Sequence, residues 1–400
     1  KIEQNSSYYK LKYSDSFPGV EAIKRNIGPR QGVISLLCGQ DYLHILTITK
    51  EGVSLQAMGN LPEIKRLAEA WITQLRTTES GRRFNAGNTG QQLSKHLVND
   101  LLQAAGKKEE WIIIPDDFFH YLPFESLTDT SGRFLLESHA ISYHFGARFL
   151  VPQQTDGVRH SEYNILSMAP FAARGFQPMN RLPASAGEIA GLPGKQFTDS
   201  LATKEQFLAA LNRYPIVHLA THAVADVENS TGSFIAFYPN HNAPAENNLY
   251  LDELYGLNMD STDLVIMSAC ETGTGQLAGS EGVMSLSRGF TYAGCNSVVN
   301  SLWKADDQAT AAILKTFHAY LQKGYNKSKA LQLAKLDYIK SDAVHKSPDF
   351  WAHLMLIGDT NEIKLGKKTA EGLWLILIPS AVLTVVLVLY MRSRNKKKLS

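Results

Sequence analysis

The chain has 400 residues, more than one ordinary domain of roughly 100–200. Apolar residues make up 44% of it and charged ones 20%, a globular composition that excludes a disordered or fibrous protein. With 40 basic residues against 38 acidic ones there is no global field to draw nucleic acid. The three cysteines, Cys38, Cys270 and Cys295, are too few and too scattered for a disulfide framework or a tetrahedral zinc site.

Residues 1–14 are polar and aromatic without a period. The chain opens at Lys1 with neither methionine nor signal peptide, so this stretch is expected to be the end of an upstream region. From 32 to 58, three β-rich runs (GVISLLCG, YLHILTITK, GVSLQAM) separated by turn residues predict a β-meander. Helical periods follow at 61–75, with Ile64, Leu67, Ala68, Trp71 and Leu75 on one face, and at 91–102, with Leu93, Leu97 and Leu101. WIIIP at 111–115 predicts a buried strand, and 140–145 continues a compact first half, 15–158. A second half, 159–365, opens with a strand at 163–168 and a loop rich in Gly, Pro and Ala up to about Gly194. Here strand and helix alternate. The runs at 216–220 and 264–267 are apolar throughout, as in parallel strands covered on both faces. Helical patterns at 281–293 and 307–323 flank a strand at 297–299, and Gly324 sits where a C-cap belongs. The class is α/β.

After a linker at 366–371, residues 372–391 run twenty positions without a charge, about 30 Å as a helix, with Trp374 and Tyr390 near the two ends. The expectation is one transmembrane helix and a single-pass membrane protein. The basic tail 392–400, led by Arg392 and Arg394, then lies on the cytoplasmic side and the main body on the other.

Parallel sheets bind ligands beyond the carboxyl ends of their strands. Two buried strands run on into reactive residues there: IVHLATH ends at His222 and LVIMSAC at Cys270. A nearby imidazole can take the thiol proton and later protonate a leaving amine, while the Cys270 N–H faces an oxyanion. Either residue alone has a plain structural reading, the cysteine as a small buried hydrophobe and the histidine as a hydrogen-bonded one. Mid-strand His218 keeps that structural reading.

At these residues the sequence resembles the CHAT family of caspase-like cysteine peptidases. The matching strings are VHLATH at 217–222, LDEL at 251–254, DLVIMSACETGTG at 263–275, EGVMSLSRGF at 281–290, AGCNSVVNSLWKADDQAT at 293–310 and FWAHLMLIGD at 350–359, with WIIIPDDFFHYLPFESL at 111–127 in the first half. The resemblance implies a largely parallel caspase-like sheet flanked by helices, with an inactive first half and an active second half. It implies Cys270 as nucleophile, His222 as base and acid, and an oxyanion hole made by the amides of Cys270 and Ala223. The family usually has glycine where Ala223 stands, and a Cβ there restricts φ. Asp306 and Asp307 match a position where separases carry an acid for a basic P1 side chain; a helix N-cap is the alternative for Asp306. Glu271 could line the same rim or bond the turn.

The implied function is a membrane-tethered endopeptidase acting on a protein substrate through an acyl-enzyme thioester. It needs no cofactor and no metal, and binds no nucleic acid. CHAT domains commonly follow tetratricopeptide repeats, so an upstream repeat region and a regulatory protein partner are expected. A catalytically silent interaction module stays open because of Ala223. A nucleotide site at Gly273, Gly275 and Gly279 also stays open, although the spacing misses the dinucleotide fingerprint by one residue.

Overall fold

The computed structural model describes residues 17–77, 88–151, 160, 162–176, 179–225, 232–239, 247–268, 271–272, 282–363 and 365. Residues 1–364 form one compact unit and 365–400 a second, of which only Leu365 is described.

The first unit is built on a long sheet whose strands follow from the apolar runs. β1 (Gln31–Cys38), β2 (Leu43–Ile48) and β3 (Val53–Met58) form the antiparallel meander. β4 (Glu110–Ile114) and β5 (Ala140–Tyr143) extend it in parallel from β1. In the second half β6 (Ile165–Ala169) lies between β7 (Gly194–Thr198) and β8 (Ile216–Leu219). The short strands β9 (Ala223–Ala225), β10 (Phe234–Ala236) and β11 (Asn248–Tyr250) leave this sheet and make a smaller one. β12 (Leu264–Met267) pairs in parallel with β8, whereas β13 (Glu271–Thr272) joins β9. β14 (Ser297–Ser301) pairs with β12, and β15 (Leu354–Gly358) closes the gap between the halves. Among the described residues the large sheet has eleven strands, in the order β3-β2-β1-β4-β5-β15-β14-β12-β8-β6-β7.

β15 decides the geometry. It is parallel to β5 and antiparallel to β14, so the parallel strands of the two halves run in opposite senses. The carboxyl ends of β1, β4 and β5 therefore lie at one edge of the sheet, and those of β6, β8, β12 and β14 at the other.

Both faces are covered, which is why β4, β6, β8, β12, β14 and β15 are buried at every residue. On one face Ile34, Ile113, Ile216 and Val299 share a core with the helices Leu61–Arg76, Thr89–Ala105, Asp307–Gln322 and Lys327–Lys340. On the other, Val217, Leu219, Val265 and Val298 pack with Phe290 of the helix Gly282–Tyr292. Gly324 has φ +81°, the left-handed stop expected after Asp307–Gln322.

The single-pass localisation expected from the sequence is overturned. Among the described residues no helix is long and apolar enough to cross a membrane. Thr89–Ala105, with 17 residues, reaches about 25 Å, short of a bilayer core, and its apolar residues form one stripe that the sheet already covers. Residues 372–391, read as the transmembrane helix, lie outside the described residues. The membrane is set aside as a partner, and with it the assignment of the two sides to body and tail.

Candidate active site

A cleft opens at the carboxyl ends of β8, β12 and β14. His222, Ser268, Lys304, Asp307 and Glu188 line it. His222 follows β8 after a sharp change of direction into β9. Two bonds to β10 fix that turn: Ala236 N–H donates to the His222 carbonyl at 2.9 Å, and the Thr221 hydroxyl donates to the Ala236 carbonyl at 2.6 Å.

The ring of His222 is 1% exposed for the residue as a whole, and its Nε2 lies 2.7 Å from the Asn180 carbonyl. A carbonyl only accepts, so Nε2 carries the proton and Nδ1 of the neutral ring holds the lone pair. Phe171 packs on the ring, with centroids 5.2 Å apart.

The segment that supplies Phe171 and Asn180 is folded back on itself after β6. Leu182 N–H donates to the Phe171 carbonyl, Arg181 Nε to that of Ala172, and Asp199 Oδ1 accepts from the amides of Ala173 and Arg174. Gly175 permits the close approach, because a Cβ there would stand 2.8 Å from the Met179 carbonyl oxygen. The composition of this loop predicted a connection. Nothing in it singled out Asn180, whose contribution is a main-chain carbonyl, or Glu188, which lies on the helix Pro183–Ile189 inside the stretch read as loop.

The two adjacent acids part company. Asp306 is the N-cap of Asp307–Gln322, accepting from Ala309 N–H at 2.9 Å. Asp307 turns into the cleft. Its carboxyl is pushed above the ordinary value, first by partial burial; Lys304 opposes this, Asp306 and Glu188 add to it, and His222 opposes it.

Ala223 is 5% exposed and begins β9, in register with Ile235. It is not among the residues with positive φ, so its Cβ meets no conformational penalty there. Glu271 is described by its backbone alone, in register with Val224. Cys270 lies outside the described residues, as do Gly273, Gly275 and Gly279. His218 is fully buried in β8 and hydrogen-bonded on both nitrogens.

The two described cysteines are poor nucleophiles. Burial pushes the thiols of Cys38 and Cys295 up to about 12, and Asp116 adds to the effect at Cys38. Among the described residues no group of three His, Cys, Asp or Glu side chains could hold a metal ion.

Solved structures of similar architecture include the Saccharomyces cerevisiae separase–securin complex. Its 3.0 Å form matches with a TM-score of 0.52 at 10% identity, over 88% of this chain and 30% of that one. Its 2.6 Å form matches with a TM-score of 0.52 over 84% and 30%. Among curated proteins, tetratricopeptide repeat protein 28 of Mus musculus is 23% identical over 312 residues, and that of Homo sapiens 24% over 311. Each alignment covers 66% of this chain and 12% of the relative, so the chain spans about an eighth of the relatives it matches. The CHAT domain profile matches residues 87–359, well over half of the sequence, and the chain belongs to the CHAT domain family, with a caspase-like protease fold.

Proposed function

We propose that the chain is a cysteine endopeptidase with Cys270 as nucleophile and His222 as its proton carrier. The observation that most supports this reading is a double backbone link around the two residues. Ser268 N–H donates to the Leu219 carbonyl at 3.3 Å, and Glu271 is in register with Val224, so the chain on each side of Cys270 is bonded to the chain on each side of His222. The thiols of Cys38 and Cys295, both pushed up by burial, support the choice of Cys270.

In this reading Nδ1 of His222 takes the thiol proton and the sulfur attacks the scissile carbonyl carbon. The amides of Cys270 and Ala223 hold the oxyanion. The imidazolium returns the proton to the departing amine, leaving a thioester. His222 then takes a proton from water as the water oxygen attacks the thioester carbon; the C–S bond breaks, the acid leaves and the imidazolium returns the proton to the sulfur. The Asn180 carbonyl keeps the ring in the tautomer that presents Nδ1. Asp307 receives a basic P1 side chain, while Asp306 caps its helix. The second half, 159–365, carries the chemistry and the first half, 15–158, is structural. An upstream repeat region and a regulatory protein partner fit the names of the relatives and the presence of securin in the separase complex.

A peptide library with varied P1 residues tests the proposal on the wild type and on Cys270→Ala. Cleavage by the first and none by the second is expected. If nothing is cut even with an upstream repeat region attached, the interaction-module reading replaces it.

A further inference from the structure

Behind the cleft runs a chain of four titratable side chains that the proposed reaction leaves unused. Glu188 lines the cleft, is 5% exposed, and brings Oε1 to 2.5 Å from His218 Nε2. His218 Nδ1 meets His318 Nε2 at 2.9 Å, and His318 Nδ1 meets the Tyr163 hydroxyl at 3.2 Å. Both histidines are buried, at 0% and 1% exposure.

These three bonds can all form in two ways. With both nitrogens of His218 protonated, that ring donates to Glu188 and to His318, and His318 donates to Tyr163. With one proton fewer, Tyr163 donates to His318, His318 to His218, and His218 to Glu188. Neither arrangement breaks a bond of the chain, so one proton can enter or leave without stranding a buried polar group. Burial and the neighbouring His218 push His318 well below its ordinary range, so His318 is the neutral ring in both arrangements.

With Glu188 as the carboxylate that accepts in both, the chain is net neutral in the first arrangement and singly negative in the second. The charged and titratable groups facing the Glu188–His218 pair are Asp307 and His318 from the helix Asp307–Gln322, Lys304 before that helix, His222 beyond β8, and Tyr163 ahead of β6. The flanking strands β6 and β12 set Ser167 and Ile266 beside His218, and neither titrates.

We propose that Glu188 is a substrate-binding carboxylate of this cleft, switched by the buried histidine pair, so that the cleft takes a cationic side chain with an affinity that rises with pH. This rests on the peptidase reading for the identity of the occupant. The test is calorimetric binding to Cys270→Ala of a peptide ending in arginine and of its uncharged citrulline counterpart, from about pH 5.5 to about pH 8. The arginine peptide should bind roughly tenfold more tightly at the upper pH and release protons on binding, while the citrulline peptide changes little. Glu188→Gln should remove most of that dependence. Tyr163→Phe, at the far end of the chain and out of contact with His222, should shift the midpoint. Arginine binding independent of pH, a dependence untouched by both variants, or binding of neither peptide overturns the inference. Hydrolysis by the wild type is scored separately, so failure of the switch and failure of the peptidase reading are told apart.

Discussion

The parallel strands end at two opposite edges of one sheet, and each edge carries sulfur- or imidazole-bearing residues. At the edge of the first half, Cys38 closes β1. Its N–H donates to Asp116 Oδ2 at 2.8 Å, beyond β4, and Asp117 is tied to Lys65 at 3.0 Å. Burial, Asp116 and Asp117 all disfavour the thiolate of Cys38, and burial and Arg288 push the nearby His120 below its ordinary value. At the edge of the second half, His222 has one nitrogen fixed by a carbonyl and lines an open cleft. A thiol and an imidazole at strand ends are therefore not enough. Whether a strand-end thiol ionises depends on its burial and on the sign of the neighbouring charge.

The sharpest way to break this contrast is to remove the sulfur from each edge in turn. Cys270→Ala and His222→Ala should each lower kcat/KM on a cleaved peptide by at least about a thousandfold. Cys38→Ala should leave it within about twofold. Equal losses at both edges would end the distinction.

Away from the cleft, a buried ionic network ties the two halves together. Lys335 Nζ donates to Glu125 Oε1 and to the Leu354 carbonyl, each at 2.7 Å, and Glu125 also accepts from Tyr143. Lys335→Met strands a buried carboxylate and should cost about 3–5 kcal/mol in urea unfolding. A loss under 1 kcal/mol would mean that the pair is not dry.

Acid should destabilise the chain through its buried rings, among them His144, His353 and His318. Burial lowers His144 to about 4 and His353 to about 3 from an ordinary value of 6.5. Below that ordinary value the unfolded chain binds more protons, so stability is fully present above it and is lost as pH falls toward 3–4. Between pH 6.5 and 5 the loss should be roughly 2 kcal/mol for each ring, read from urea midpoints. His144→Gln should remove one ring's share of the slope and leave that of His353 and His318.

Smaller effects separate the two acids. Asp306→Ala should cost about 1 kcal/mol as a lost cap without changing P1 preference, and Asp306→Ser should restore the stability. Asp307→Asn should spare stability and weaken cleavage after Arg and Lys, and equal loss at every P1 would mark it as structural. Ala223→Gly should change the rate less than about twofold and cost up to about 1 kcal/mol, because glycine gains nothing where φ is already negative and loses more entropy on folding.

Much of this was legible in the residues. The meander, the buried parallel strands, the helix starting at Asp307 and its glycine stop appear near their expected positions because each rests on local signals: apolar period, a capping carboxylate, a left-handed glycine. The helix Pro183–Ile189 did not show, since it is only seven residues long and rich in small and turn residues. Nor did β15, which pairs with strands far from it in sequence and sets the opposite sense of the two halves. The apolar run at 372–391 predicted an anchor; it lies outside the described residues, and no described helix is long and apolar enough to cross a membrane.

The order of apolar and polar residues, acting over a few positions at a time, was enough to determine the meander, the buried parallel strands and the long helices, and to put His222 just beyond the end of one of those strands. Only the tertiary structure decided which nitrogen of His222 is protonated, which of Asp306 and Asp307 enters the cleft, and that Glu188 and two distant histidines form one chain behind it. The reason is physical. A main-chain carbonyl such as that of Asn180 is the same in every residue, and a side chain's charge depends on what folding brings within a few ångströms of it.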